Sequence, residues 1–347
     1  VSSRVNLLHC YAWEESGFPS KWVDDFNEHL QGIGCVSQHV KKSLIDNVVT
    51  VPIWINGNGV DHWESISPNS GYKAPGTGYR FLHVSSCFPR KGADILVRAY
   101  GAAFSQSDPV CLVIKTFKNV HNRINQWIDE ARLEKPDFPQ IHVIEEDLPD
   151  ADLKALYLQC NALVAPSKAE GFGLPLAEAM LCGLEVITTS WSGQLDFCNS
   201  DTAWLIDYKL ERAESHLGIF DSFWACPDEG HLSQIMRTVY STTDRKKSKA
   251  GRTNLLENFK WVDSAQKLTA GVEGLLRSIE NGKPRIGWIS TWNTKCGIAT
   301  YSQHLTESFP YALTYLAPYA EEFVRSDQSG VVRCWNQNAS DNFDKLS

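Results

Sequence analysis

Ala162-Leu-Val-Ala165 runs straight into Pro166-Ser-Lys-Ala-Glu-Gly-Phe-Gly-Leu-Pro-Leu-Ala-Glu178. The first four residues form a short apolar run of the kind that makes a buried strand. Gly171 and Gly173 then interrupt any regular period, and Pro175 suits the first turn of a helix, where a missing N–H loses no bond. The stretch reads as strand, tight loop, helix. Glycines just ahead of a helix N-terminus leave backbone N–H groups and the helix dipole facing an anion. Glu178 lies near the first helical turn, its carboxylate directed at the same crevice. An ionised carboxylate only accepts hydrogen bonds, so it suits a vicinal diol such as a ribose. Glu170, on the loop, is similarly suited to sugar hydroxyls. A plain βα turn with one solvated Glu and one helix-start Glu explains the spacing equally well.

Working outward, the pattern repeats. Apolar runs occur at Phe81–Val84, Val110–Ile114, Ile141–Ile144, Ala162–Ala165, Val186–Thr188 and Ala203–Ile206. Helical stretches at Ala93–Phe104, Asn122–Leu133, Asp152–Gln159 and Pro175–Leu181 alternate with them. Short apolar strands separated by helices predict a parallel sheet covered on both faces, an α/β doubly wound domain. Helices follow at His231–Ser241, Arg245–Arg252 and Val262–Arg277. Upstream, Ser37 is placed to N-cap a helix through Ile45, and Val51–Ile55 reads as a strand closed by Asn56-Gly-Asn-Gly59. Ser65–Gly78, rich in Pro, Gly and Ser, has no period and marks a linker. A second break is Asn281-Gly-Lys-Pro284. Beyond it a strand over Ile286–Ser290, a turn at Gly297 and helically spaced Ile298, Tyr301 and Leu305 predict a new βα start.

The chain's 347 residues are enough for two domains, and 43% hydrophobic with 21% charged residues is ordinary for a globular protein. No apolar run is long enough to cross a bilayer. Thirty-three basic against 41 acidic residues leave a net charge of -8, which argues against a nucleic-acid surface. The 12 Trp invite a carbohydrate reading, although core and rim positions account for them as readily. Ten cysteines at irregular spacing, without Cys-x-x-Cys, suggest neither zinc nor a disulfide scaffold. Reduced cysteines imply a cytoplasmic protein, at most peripheral to the inner membrane. Without a signal peptide the Asn338-Ala339-Ser340 sequon carries no weight, and a start without Met suggests a fragment.

A second candidate loop is Ser85-Ser-Cys-Phe-Pro-Arg-Lys-Gly92, between the domain's first strand and first helix. Arg90 and Lys91 there can neutralise a diphosphate, Arg through its fork of donors and Lys as a point charge. Alone, the loop reads as a solvated basic turn. Two anion-suited loops at carboxyl ends of strands in one doubly wound domain are harder to dismiss, since ligands bind at those ends.

Glu170-Gly-Phe-Gly-Leu-Pro-Leu-Ala-Glu178 resembles the E-x7-E signature of retaining, GT-B-type glycosyltransferases of family four. Pro89-Arg-Lys-Gly92, Asp152-Leu-Lys-Ala-Leu-Tyr157 and Asn58-Gly-Val-Asp61 extend the resemblance over most of residues 1–280. It implies two facing Rossmann-like domains, the N-terminal one incomplete. The expected division is a partial acceptor-side domain at 1–64, a linker at 65–79 and a nucleotide-sugar-binding domain at 80–260. A C-terminal helix and linker occupy 261–284, and 285–347 begin a second acceptor-type unit that docks on 1–64, within one chain or by exchange in a homodimer. By matching position the catalytic candidates are Glu170 at the donor sugar and Lys91 and Arg90 at the diphosphate. Ser86, Gly171, Phe172, Gly173, Leu174 and Glu178 are the donor-binding set, with Glu178 on the ribose.

The resemblance implies transfer of a hexose, mannose among the candidates, from GDP-mannose or a UDP-hexose to a glycan or glycolipid. It implies no metal and no cofactor. Departures exist. Ser85-Ser86 stand where the family has Gly-Arg, Arg90 replaces an acidic residue, and Asp196 stands where Glu is common. Trp288-Ile-Ser-Thr-Trp-Asn-Thr-Lys-Cys-Gly-Ile-Ala-Thr-Tyr301 resembles a domain opening, which suggests the back of one transferase followed by the front of the next. The competing class is a nucleotide-sugar-binding module without turnover. A nicotinamide oxidoreductase is weakened because neither Gly171-Phe-Gly173 nor Gly57-Asn-Gly59 completes the dinucleotide fingerprint. Asp150-Ala-Asp152 reads as a helix start rather than a metal motif. His83 reads as a core residue, and His9 is weighed as a cleft residue.

Overall fold

The computed structural model describes residues 5–214, 219, 221–278, 286–294, 296–310, 313–320 and 322–335. Strands β1 (Leu7–Tyr11), β2 (Gly32–Cys35) and β3 (Ile53–Ile55) form a small parallel sheet in that order. The central sheet is built from β4 (Tyr79–Val84), β5 (Val110–Lys115), β6 (Gln140–Ile144), β7 (Ala162–Ala165), β8 (Glu185–Thr189) and β9 (Trp204–Ile206). All of its pairings are parallel, in the order β6-β5-β4-β7-β8-β9. The order reverses between β4 and β7, and at such a switch point a crevice opens outside the carboxyl ends of the strands.

The apolar runs are unbroken because both faces are covered. Phe81, Leu112, Ile114, Ala162 and Val164 face one core with helices Ala93–Ala103, Ile124–Glu134 and Glu229–Ser241. Their neighbours Leu82, Val113, Leu163 and Ala165 face the other, with helix Leu174–Leu181. Side chains alternate across a strand, so a strand clad on both faces needs apolar residues at every position.

Ser37 caps helix Gln38–Asp46 by accepting from the Val40 N–H at 3.3 Å. The linker segment is anchored rather than loose, with Ala74 N donating to Gln159 Oε1 at 3.1 Å and Arg80 donating to the Gly76 carbonyl at 2.6 Å. The chain crosses between the halves a second time at Phe259–Trp261, entering helix Trp261–Ser278, which packs across β2 and β3. This crossing is tied to residues just before the linker. Val60 N donates to the Phe259 carbonyl and Trp261 N to Asp61 Oδ1, both at 2.9 Å.

Some elements differ from the sequence expectation. An antiparallel pair, β10 (Tyr208–Arg212) with β11 (Phe223–Pro227), stands where only helices were expected after residue 206. The basic stretch continues as a longer helix, Lys246–Asn258. In the tail, β12 (Ile286–Ile289), β13 (Leu313–Pro318) and β14 (Val331–Trp335) form their own parallel sheet, and among the described residues they pair only with one another. Helix Gly297–Glu307 buries Tyr301 and Leu305, but Ile298 is exposed. Contact with the first segment runs through side chains. Asn56 Nδ2 donates to the Tyr301 hydroxyl, and the rings of His9 and Trp288 lie 3.7 Å apart. The break at 281–284, the sequon and residues 336–347 lie outside the described residues.

Candidate functional site

The loop after β4 is set by His83, buried inside that strand. Its Nδ1 is 2.7 Å from the Val164 carbonyl and its Nε2 2.7 Å from Ser85 Oγ. Burial pushes its pKa down to about 4, so the ring is neutral. A carbonyl only accepts, so Nδ1 carries the proton and Nε2 accepts from Ser85. Ser85 Oγ in turn accepts from Cys87 N at 3.0 Å, bending the chain toward a 3-10 turn at Pro89–Lys91. Gly92 follows with φ 64°, and a Cβ there would stand 2.1 Å from the Pro166 carbonyl. Only glycine lets the β4 loop lie against the β7 loop this closely.

Across that contact Lys91 Nζ pairs with Glu170 Oε1 at 2.5 Å, and Ser167 Oγ donates to the same oxygen at 2.8 Å. Burial pushes the Glu170 carboxyl up, but Lys91, Arg90 and the hydrogen bonds outweigh it, and the carboxyl rests below its ordinary range. Burial likewise lowers Lys91, against the pull of Glu170. The pair is therefore ionised and mutually dependent. Arg90 turns the other way. Its Nη2 reaches Glu14 Oε1 of the first half at 2.7 Å, and its Nη1 donates to the Ala169 carbonyl at 3.4 Å.

The loop carrying Glu170 is held from beneath by the segment after β8. Glu170 N donates to Ser192 Oγ at 2.6 Å, and Gly193 N donates to the Glu170 carbonyl at 2.9 Å. A Cβ on Gly171 would lie 2.5 Å from the Ala12 carbonyl, so the first half sits directly on the loop. Gly173 has φ 93° and opens helix Leu174–Leu181. Leu174 is partly exposed at the helix start. The Phe172 ring is buried against Phe197 and Phe259.

Glu178, one turn into the helix, is partly exposed and accepts from the Tyr157 hydroxyl at 2.9 Å. Burial pushes its carboxyl up to about 7, with the Tyr157 hydrogen bond holding it back. Ser86 lies at the carboxyl end of β4, its carbonyl accepting from Asn119 Nδ2 at 2.9 Å. The loops after β4 and β7 thus bring Lys91, Arg90 and Glu170 together, with Glu178 on the adjoining helix and Ser86 turned by its carbonyl toward Asn119.

Other candidates fall elsewhere. Burial pushes His9 down to about 4, and the ring stacks on Trp288 with Nε2 3.3 Å from the Ile289 carbonyl, so it belongs to the tail contact. Asp150 and Asp152 lie in the first turn of helix Asp150–Leu158, where Asp152 accepts from Asn69 at 2.6 Å. Asp196 accepts from Gln38 N at 3.1 Å and ties the two halves at a helix start. All ten cysteines are free thiols. Among the described residues no group of three or more His, Cys, Asp or Glu is gathered as a metal cage, and no helix is long and apolar enough to cross a membrane. Sequence reasoning missed Ser167, Ser192 and Glu14 as site residues. The only signal for Glu14 was its place beside Trp13 in an acidic pair.

Residues 70–216 match the family model described as "Glycosyl transferases group 1". The serotype-specific mannosyltransferase WbdA of Escherichia coli is 28% identical over 190 residues, 53% of this chain and 22% of that protein. An uncharacterised glycosyltransferase of Methanocaldococcus jannaschii, MJ1178, is 30% identical over 163 residues, 46% of this chain and 40% of that protein. The matched region is therefore well under half the length of these relatives. Anabaena HepE, solved with UDP and glucose, superposes with a TM-score of 0.60 at 17% identity, covering 77% of this chain and 71% of that one. Sucrose-phosphate synthase from Thermosynechococcus elongatus superposes with a TM-score of 0.56 at 19% identity, covering 73% and 60%. Residues 70–216 are thus similar to a glycosyltransferase group 1 domain, and the chain takes a GT-B-type α/β fold.

Proposed function

We propose that the protein transfers a hexose, with mannose the first candidate, from a nucleotide diphosphate sugar to a glycan or glycolipid, retaining the anomeric configuration. The observation that carries this reading is the Lys91–Glu170 pair at the switch point, beside a glycine-opened helix N-terminus. The diphosphate lies against Arg90, Lys91 and the backbone N–H groups of residues 171–174, which stabilise the negative charge of the departing diphosphate. Glu170, kept beside Lys91, accepts from donor-sugar hydroxyls with its remaining lone pairs. Glu178 takes the ribose. Mannose leads because WbdA is named a mannosyltransferase.

Calorimetry with GDP-mannose, UDP-glucose and ADP-glucose tests the reading. One donor should bind, and Glu178→Ala should weaken it by about 1–3 kcal/mol, the worth of hydrogen bonds to a charged group. No binding by any nucleotide sugar overturns the proposal, and unchanged affinity in the variant removes the ribose assignment. Turnover of the bound donor, measured as diphosphate release with acceptor present, separates a transferase from a module that only binds.

A further inference from the structure

We propose that Glu14, contributed by the facing half of the molecule, occupies the diphosphate's place on Arg90 and must be displaced when donor binds. This rests on the reading above that a diphosphate docks on Arg90. The observation is one of pairing. Arg90 and Lys91 are each engaged by a carboxylate, Glu14 at 2.7 Å and Glu170 at 2.5 Å. Two cations and two carboxylates cancel, so the pair that should attract a diphosphate offers it no net formal charge until a carboxylate leaves.

Which carboxylate leaves is decided by surroundings. Lys91 and Glu170 are 14% and 9% exposed, and Ser167 also holds Glu170. Arg90 and Glu14 are 23% and 26% exposed, and the one ion pair described for Glu14's carboxylate is to Arg90, with Lys91 near enough to attract it as well. The wetter pair with fewer hydrogen bonds is the easier to part, because water restores what the separated charges lose. The Glu14 backbone is anchored apart from its side chain, its carbonyl 3.0 Å from His39 Nε2. The Ala169 carbonyl still accepts from Arg90 Nη1, so the guanidinium stays aimed at the crevice while one edge changes partner.

Glu14 is therefore a gating residue rather than a catalytic one. It competes with the incoming diphosphate and with the product nucleoside diphosphate alike. It favours release of the product, and it couples the first half of the molecule to the occupancy of Arg90.

The test is calorimetry of the full chain and of Glu14→Gln with GDP and UDP, using guanosine and uridine as controls. Removing the competing charge should tighten the diphosphate about fivefold or more, while the nucleoside control is unmoved. A purely structural role would weaken both ligands together. Unchanged or weaker diphosphate binding in Glu14→Gln, with the original chain still binding, overturns the gate and leaves the proposed function standing. No diphosphate binding by either protein overturns both. Should Glu14→Gln unfold early by thermal melting, Glu14→Asp, which shortens the reach by one methylene, is read on the same criteria.

Discussion

Glu170, on the loop after β7, and Glu178, one turn into the helix that follows, have opposite surroundings. Glu170 sits against an ammonium and a serine hydroxyl and stays ionised, held below the ordinary carboxyl range. Glu178 has a tyrosine hydroxyl for company and, among the described residues, no cation beside it, and burial lifts it to about 7. The same side chain is thus made a fixed anion in one place and a titrating group in the other. What differs is the neighbour: Lys91 is delivered by the β4 loop to Glu170, and nothing equivalent reaches Glu178. Desolvation raises a carboxyl and an adjacent cation lowers it, and the balance of the two decides the outcome.

The hardest way to break the contrast is to remove the cation. Lys91→Met leaves the buried Glu170 carboxylate unpaired and should lower stability by about 3–5 kcal/mol, read from the midpoint of urea unfolding. Adding Glu170→Gln should restore most of the loss. If the double variant were no better than the single one, Lys91 would be acting through packing.

A smaller effect comes from pH, and its sign differs between the two sites. Glu178 holds its proton more tightly folded than unfolded, so its contribution is complete below about pH 4.5 and is lost as pH rises through about 7. Glu170 is the reverse, contributing above the ordinary carboxyl pKa and losing that contribution as pH falls through its lowered value. Relative to the original chain, Glu178→Gln should gain on the order of 1–2 kcal/mol between pH 5 and pH 7.5, a figure reduced for its residual exposure. Glu170→Gln should show no such gain across that window. Parallel pH profiles for the two variants would erase the distinction.

The mildest change is Tyr157→Phe. Losing the hydroxyl should cost about 0.5–1.5 kcal/mol and move the Glu178 transition further up in pH, because that hydrogen bond favours the ionised form. A downward move would mean the hydroxyl serves the protonated acid.

The sheet was legible because its pattern is local. Strands such as Ala162–Ala165 coincide with their apolar runs, since a strand clad on both faces is apolar at each position. The β10–β11 pair was not, because Lys209, Glu211 and Arg212 give it the look of a loop. Side-chain direction was harder still. Phe172 stands among glycines in the signature loop, but its ring follows Phe197 and Phe259, far along the chain. Ile298 fits the helical spacing and is exposed all the same, because the spacing fixes a face only once the neighbouring layer is known. Glu14 was hidden for the same reason, its partner lying in the other half.

The two passages of the chain between the halves lie side by side, Val60 bonded to Phe259 and Asp61 to Trp261. Two adjacent strands of backbone define a line, much as a pair of pins does for a door. Any swing of the halves would turn about that line, while sliding or twisting would strain both passages. Displacement grows with distance from that line, so a small angle suffices to part groups at the far lip. Substitutions that stiffen the line would slow the swing without altering any residue in the crevice.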